Sequence, residues 1–148
     1  AFLVVALMAI GNAGGRIVAG MLSDRIGRKA TLIIMLGFQA LLMFAGIVIV
    51  GQSSSAILLV VLASLIGFNY GTNLSLIPSF TKDLWGLKNF GMNYGIVFTA
   101  WGVGGFVMSR LSQMLYAQSG NYTYSFVVAG ILLVAGAVLT MTLKKASD

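Results

Sequence analysis

The chain has 148 residues, nine of them Lys or Arg and three Asp, with no His, no Cys and no Glu; hydrophobic residues make up 59% and charged residues 8%. Its mean hydropathy of +0.99 sets it apart from soluble domains, where about a quarter of residues are charged, and it reads as an integral membrane protein. Without Cys or His, disulfides, thiol chemistry and the usual zinc and haem ligand sets are excluded, and no cofactor is expected. The net charge of +6 does not point to nucleic acid, because the cations sit in short segments beside apolar runs and form no single basic face.

In chain order, five apolar segments of roughly 20 residues are each long enough to cross about 30 Å of hydrocarbon as a helix. Their expected bounds are 2–22, 31–50, 56–79, 94–116 and 125–143. The runs are continuously apolar and lack the period-two alternation of barrel strands, so helices are predicted. The first residues are already apolar, with no basic stretch or cleavage site before them, and read as the middle of a span and not as a signal peptide. The connections are short, so consecutive helices should run antiparallel.

The first span carries Arg16, with Asn12 four residues earlier on the same helical face. A charge in the bilayer interior costs about 2.5 to 3.5 kcal/mol on insertion scales, so it usually faces a cavity and has a task. The guanidinium offers a planar fork of donors matched to a carboxylate. The competing reading is that Arg16, near the end of its span, snorkels to the interface.

Between the first two spans lies Gly20-Met21-Leu22-Ser23-Asp24-Arg25-Ile26-Gly27-Arg28-Lys29. A charged tight turn between two spans belongs at a membrane surface, and its cations indicate the cytoplasmic one. Gly20 should allow close approach of a neighbouring helix, and Gly27 a turn with positive φ. Asp24 suits the N-terminus of a nearby helix, while Arg25, Arg28 and Lys29 should face headgroups and carbonyl ends. Lys82, Lys88, Lys144 and Lys145 fall on the same side, and the other two connections carry no cation. This asymmetry places the start of the chain outside and the C-terminus in the cytoplasm.

The pattern G-x-x-x-D-R-x-G-R-K resembles the loop signature of the major facilitator superfamily of secondary transporters, where it joins the second and third helices of each six-helix half. The resemblance implies an all-α membrane protein: a fragment of the C-terminal half of a twelve-helix carrier, without that half's first helix and without the N-terminal half. In the family, the Asp corresponding to Asp24 steadies the cytoplasmically closed conformation, which here would dock it near Asn93 and Tyr94. A free-standing five-helix protein is the alternative.

The third span holds Asn69 and Asn73 at i, i+4, with Tyr70 beside them and Gly67 and Gly71 for close approach; Pro78 should end or kink it. The two amides suit either pocket hydrogen bonds or bonds between helices. In the fourth span, Tyr94, Phe98 and Trp101 form a stripe that either walls a path or packs, and the Trp101 indole N–H prefers a partner. The pairs Gly11/Gly15 and Gly91/Gly95 read as packing and hinge positions. Arg110 should snorkel to the outer interface, an extracellular gate being the minority reading.

The stretches 67–74, 88–95 and 99–105 resemble the oxalate/formate antiporter family and its monocarboxylate-transporter relatives. That resemblance implies secondary transport of a small organic anion by alternating access, by exchange or with a proton. Oxalate-type members have a second membrane-embedded cation in the fourth span; its place is taken here by Trp101, which favours formate, lactate or pyruvate over oxalate. Arg16, Asn12, Asn69, Asn73, Tyr70 and Trp101 are the expected substrate-binding residues, and Gly20, Asp24, Arg25, Gly27, Arg28 and Lys29 the expected conformational switch. The setting is a bacterial inner membrane, whose lipid is the other expected partner. No acid, His or Cys lies within the spans, so no enzymatic role is expected. The alternative is a structural or assembly protein, or a channel subunit, without carrier activity.

Overall fold

A computed structural model describes residues 2–52 and 55–143; the tail residues Lys144, Lys145 and Asp148 lie outside the described residues. Five helices account for nearly all of it: α1 (Phe2–Ile26), α2 (Arg28–Gln52), α3 (Ala56–Trp85), α4 (Phe90–Ser119) and α5 (Thr123–Thr142). All but α4 are long and apolar enough to cross a membrane. α4 is 30 residues long, but Asn93, Thr99, Ser109, Arg110, Ser112 and Gln113 dilute its apolar content. Large apolar side chains face outward all round, among them Ile57 at 75% exposure and Leu41 at 68%. Such a surface would drive a soluble protein to aggregate, whereas in lipid it is the solvated surface. The chain is an integral, multi-pass membrane protein.

The helices run past the expected spans because charged side chains end an apolar run without ending the backbone hydrogen-bond ladder. The segment expected as the loop 23–30 is helical except at Gly27, whose φ of 87° makes the whole turn. Its N–H still donates to the Ser23 carbonyl at 3.0 Å, and Thr31 N–H donates to the Gly27 carbonyl at 3.1 Å. α3 passes through Pro78 and continues to Trp85 instead of ending there. Side chains of Ser75, Ser79 and Thr81 donate to carbonyls of the preceding turn along this stretch, as hydroxyls commonly do around prolines in membrane helices.

Two seams hold the bundle, both built on glycine. In the first, α1 and α3 run parallel in near backbone contact. A Cβ at Gly15 would overlap the Phe68 carbonyl and one at Gly71 the Asn12 carbonyl; at Gly11 it would lie 2.6 Å from the Ser64 carbonyl, and at Gly67 2.8 Å from that of Met8. In lipid no hydrophobic force draws helices together, so van der Waals contact along small residues takes its place. Gly20, expected to permit a close approach, has nothing near its missing side chain.

In the second seam α2 and α5 are antiparallel, and each drives a phenylalanine into the other's glycine notch: Phe126 over Gly46 and Phe44 over Gly130. A small core of Ala19, Leu32, Met35 and Leu76, with Leu22, Leu36 and Phe80 against it, joins α1, α2 and α3 near the Gly27 end. Among the described residues α4 has no buried residue, and its backbone comes close to α3 and α5 but not to α1. Gly91 and Gly95, expected at a packing seam, stand open.

Gly15→Ala should therefore destabilise the bundle by more than about 3 kcal/mol, the upper range for overpacking, because backbone cannot yield as a side chain can. Gly20→Ala should be neutral, or stabilising by up to about 1 kcal/mol through helix propensity. Thermal unfolding of the two variants in detergent checks both.

Candidate functional site

Helix α1 places Arg16 on its exposed surface, and the Arg16 Nε donates to the Asn12 side-chain oxygen at 3.1 Å, an i, i+4 bond. That one bond fixes the plane of the guanidinium and leaves its terminal nitrogens without a partner among the described residues. Held this way, the fork presents two parallel N–H donors to a carboxylate. Asn12 is itself anchored, because its backbone carbonyl lies against Gly71 of α3.

One residue before Gly71, Tyr70 meets the aromatic stripe of α4. Its ring lies 6.3 Å from that of Trp101 in a tilted pair, and Trp101 stacks on Phe98 at 5.1 Å. The stripe continues through Tyr94 at 5.5 Å and Phe90 at 5.6 Å. Phe90 was not singled out from the sequence, although it extends the same spacing by one turn. Tyr70 and Trp101 are 41% and 54% exposed, so the pair is open to a ligand.

Consecutive helical residues point about 100° apart. The seam from Gly71 to Asn12 and the seam from Tyr70 to Trp101 therefore leave α3 in different directions, with the Arg16 helix on one side and the aromatic helix on the other. The backbones of α1 and α4 do not approach closely, and no bond joins Arg16 to Trp101 among the described residues. A ligand touching both must lie across the α3 surface between them.

The two asparagines divide. Asn69 is fully buried and turned toward α2: its amide nitrogen donates to the Met35 carbonyl at 2.9 Å and to the Gln39 side-chain oxygen at 2.8 Å. Its side-chain oxygen accepts from the Thr72 hydroxyl at 3.1 Å. In this geometry Asn69 ties helices together, and Gln39 and Thr72 complete a cluster the sequence reading did not identify. Asn73 is half-buried, with its amide donating to the Asn69 carbonyl at 3.3 Å and its oxygen without a partner among the described residues.

At the Gly27 end the charges are differently employed than expected. Asp24 is exposed and forms no hydrogen bond or ion pair among the described residues, with Asn93 and Tyr94 or with any other group. The expected docking is absent from this conformation. Arg28 instead pairs with Asp83 in the last turn of α3. Lys29 donates to the carbonyls of Met141 and Leu143, both at 2.7 Å, and so caps the end of α5, where orphan carbonyls and the helix dipole favour a cation. Arg25 has no partner among the described residues. At the other end of the bundle Arg110 is exposed and likewise unpartnered.

Asn69→Ala strands Gln39 and the Met35 carbonyl in a buried place. It should lower stability by about 1 to 3 kcal/mol, the usual cost of unsatisfied buried polar groups, as measured by chemical unfolding in micelles.

The family model described as Major Facilitator Superfamily matches residues 2–148. The chain is 33% identical over 129 residues to the MFS transporter asaE of Aspergillus flavus, covering 86% of this chain and 28% of that protein. It is 33% identical over 139 residues to monocarboxylate transporter 13 of Rattus norvegicus, covering 94% of this chain and 32% of the relative. Monocarboxylate transporter 11 of Homo sapiens is 31% identical over 152 residues, with coverage of 99% and 32%. The chain thus spans about a third or less of the length of these relatives. With its signature turn at Gly27 and a family match along its described length, the chain belongs to the Major Facilitator Superfamily.

Proposed function

We propose that the intact protein is a secondary carrier that moves a small organic monocarboxylate across a membrane by alternating access, and that Arg16 binds the carboxylate. The observation that carries this reading is the Arg16–Asn12 bond, which orients the guanidinium and leaves its terminal donors free. The names of two relatives support a monocarboxylate. Tyr70 and Trp101 contribute an aromatic wall suited to the uncharged part of such a substrate, and Asn73 an amide oxygen. Formate, lactate and pyruvate fit one guanidinium; oxalate, with two carboxylates, lacks a second cation where Trp101 stands. The cytoplasmic side is the Gly27 end, and the membrane is a bacterial inner membrane.

Arg16→Lys keeps the charge and loses the planar fork. A bond to a charged group contributes about 1.5 to 3 kcal/mol, so the substrate concentration for half-maximal transport should rise about 10- to 100-fold. Uptake of labelled pyruvate and lactate into proteoliposomes measures this, with membrane insertion checked in the same preparation. Unchanged half-saturation in Arg16→Lys removes the assignment.

Coupling follows from where the acids are. Asp24 and Asp83 lie in the last turns of α1 and α3 at the Gly27 end, the latter paired with Arg28, so the interior of this part of the carrier has no group that exchanges a proton near neutral pH. Transport by exchange, by a proton carried with the substrate, or through an acid elsewhere in the intact protein all fit this. With substrate on both sides of the vesicle, exchange should proceed at similar rates with and without a pH gradient. A proton-driven uphill uptake that persists without counter-substrate, and after removal of membrane acids outside this chain, would contradict the exchange form.

A further inference from the structure

Five described cations gather at the Gly27 end: Arg25 on α1, Arg28 and Lys29 on α2, Lys82 on α3, and Lys88 in the turn after it. Two have structural partners, Arg28 in Asp83 and Lys29 in the α5 carbonyls. Arg25, Lys82 and Lys88 are exposed and have none among the described residues. Arg25 and Lys82 stand at one level. α1 and α3 run parallel with Asn12 against Gly71 and Gly15 against Phe68, and the same register continued to the end of α1 brings Arg25 beside the last turns of α3, where Lys82 sits. Gly86, with φ of 72°, then breaks α3 and turns the chain so that Leu87 and Lys88 project. Trp85 and Leu87 beside them are 56% and 68% exposed. Among the described residues the acids at this end are Asp83, held by Arg28, and Asp24, exposed and without a partner.

We propose that this end of the bundle is an anionic-phospholipid site: Arg25, Lys82 and Lys88 grip the phosphates of the adjoining leaflet while Trp85 and Leu87 enter its acyl border. Charge complementarity selects the occupant. Cations just outside the hydrocarbon attract acidic headgroups, and an exposed Trp next to them matches the amphipathic belt at the membrane surface. The separation of duties within one cluster distinguishes this from a general basic rim: Arg28 and Lys29 hold helices, and the other three are free for lipid. The proposal stands apart from the carboxylate reading, since it needs only that the bundle lies in a bilayer.

The test uses the intact carrier in vesicles of phosphatidylcholine with a minority of phosphatidylglycerol, and reads the enrichment of labelled phosphatidylglycerol in the lipid retained by the protein. Wild type should enrich it and lose the enrichment as salt rises. The R25Q/K82Q/K88Q variant should lower the enrichment by on the order of tenfold, given the attraction expected of three juxtamembrane cations. The charge-keeping R25K/K82R/K88R variant and K29Q should both retain it. Wild-type enrichment in the R25Q/K82Q/K88Q variant, enrichment insensitive to salt, or displacement of the lipid by inorganic phosphate would each overturn the proposal, the last by identifying a soluble anion as the ligand.

Discussion

The near backbone contact of α1 and α3 is the constraint on which the candidate site depends. In water, a helix pair with this much glycine would be held together by the exclusion of solvent around it. In lipid that force is missing, and only close packing and interhelical polar bonds remain. Four glycines, two on each helix, meet carbonyls of the opposite helix, and the contact fixes both rotation and height. Asn12 is thereby pinned against Gly71, and Asn12 in turn holds the Arg16 guanidinium. A guanidinium on an unpinned helix would sweep several ångströms with each small rotation, and its fork would lose its geometric value.

The other helices attach by different means, and the differences divide the bundle. α2 is bound to α3 through the buried amide of Asn69 and to α5 through the reciprocal phenylalanine and glycine notches. Arg28 and Lys29, adjacent at the start of α2, tie the far ends of α3 and α5. These contacts make one unit of α1, α2, α3 and α5. α4 joins it through aromatic side chains and the Ser112–Ser125 hydroxyl bond at 2.8 Å, with no backbone interlock. On the proposed carrier reading, packed bodies move against one another, and α4, held by side chains, would be the place for such movement.

Much of this was legible in the residues, and the failures share one cause. Gly27 was readable because a turn between two spans demands positive φ, which glycine alone adopts freely; the structure has 87° there. The i, i+4 spacing of Asn12 and Arg16 was readable because helix geometry fixes it without any neighbour. Gly20 misled because a glycine does not announce which side of its helix meets another: it lies five residues past Gly15, well off the α3 face. Asn69 and Asn73 share a helical face, yet one crosses to α2 and the other bonds within α3. The choice belongs to the position of Gln39 and the Met35 carbonyl, which no local pattern encodes. The pairing of Arg28 with Asp83 was hidden for the same reason, since it is decided by how α2 meets α3.

The division at Tyr70 and Gly71 bears on what Arg16 and Trp101 do together. Each is tied to α3 through one of two consecutive residues, Trp101 through the Tyr70 ring and Arg16 through Asn12 at Gly71. The tie to Arg16 rests on backbone contact between Asn12 and Gly71 and is completed by the Arg16–Asn12 side-chain bond; the tie to Trp101 is a tilted ring pair 6.3 Å apart, with no backbone interlock. Any rotation of α4 therefore changes the distance from Trp101 to Arg16 while leaving Arg16 fixed against α3. On the proposed reading, a carboxylate would stay on its guanidinium through that motion while the aromatic wall closes on its uncharged end or withdraws. On that reading the charge contact would supply affinity in both arrangements, and the aromatic contact, made in one of them, would supply the difference in free energy by which a substrate shifts a conformational equilibrium.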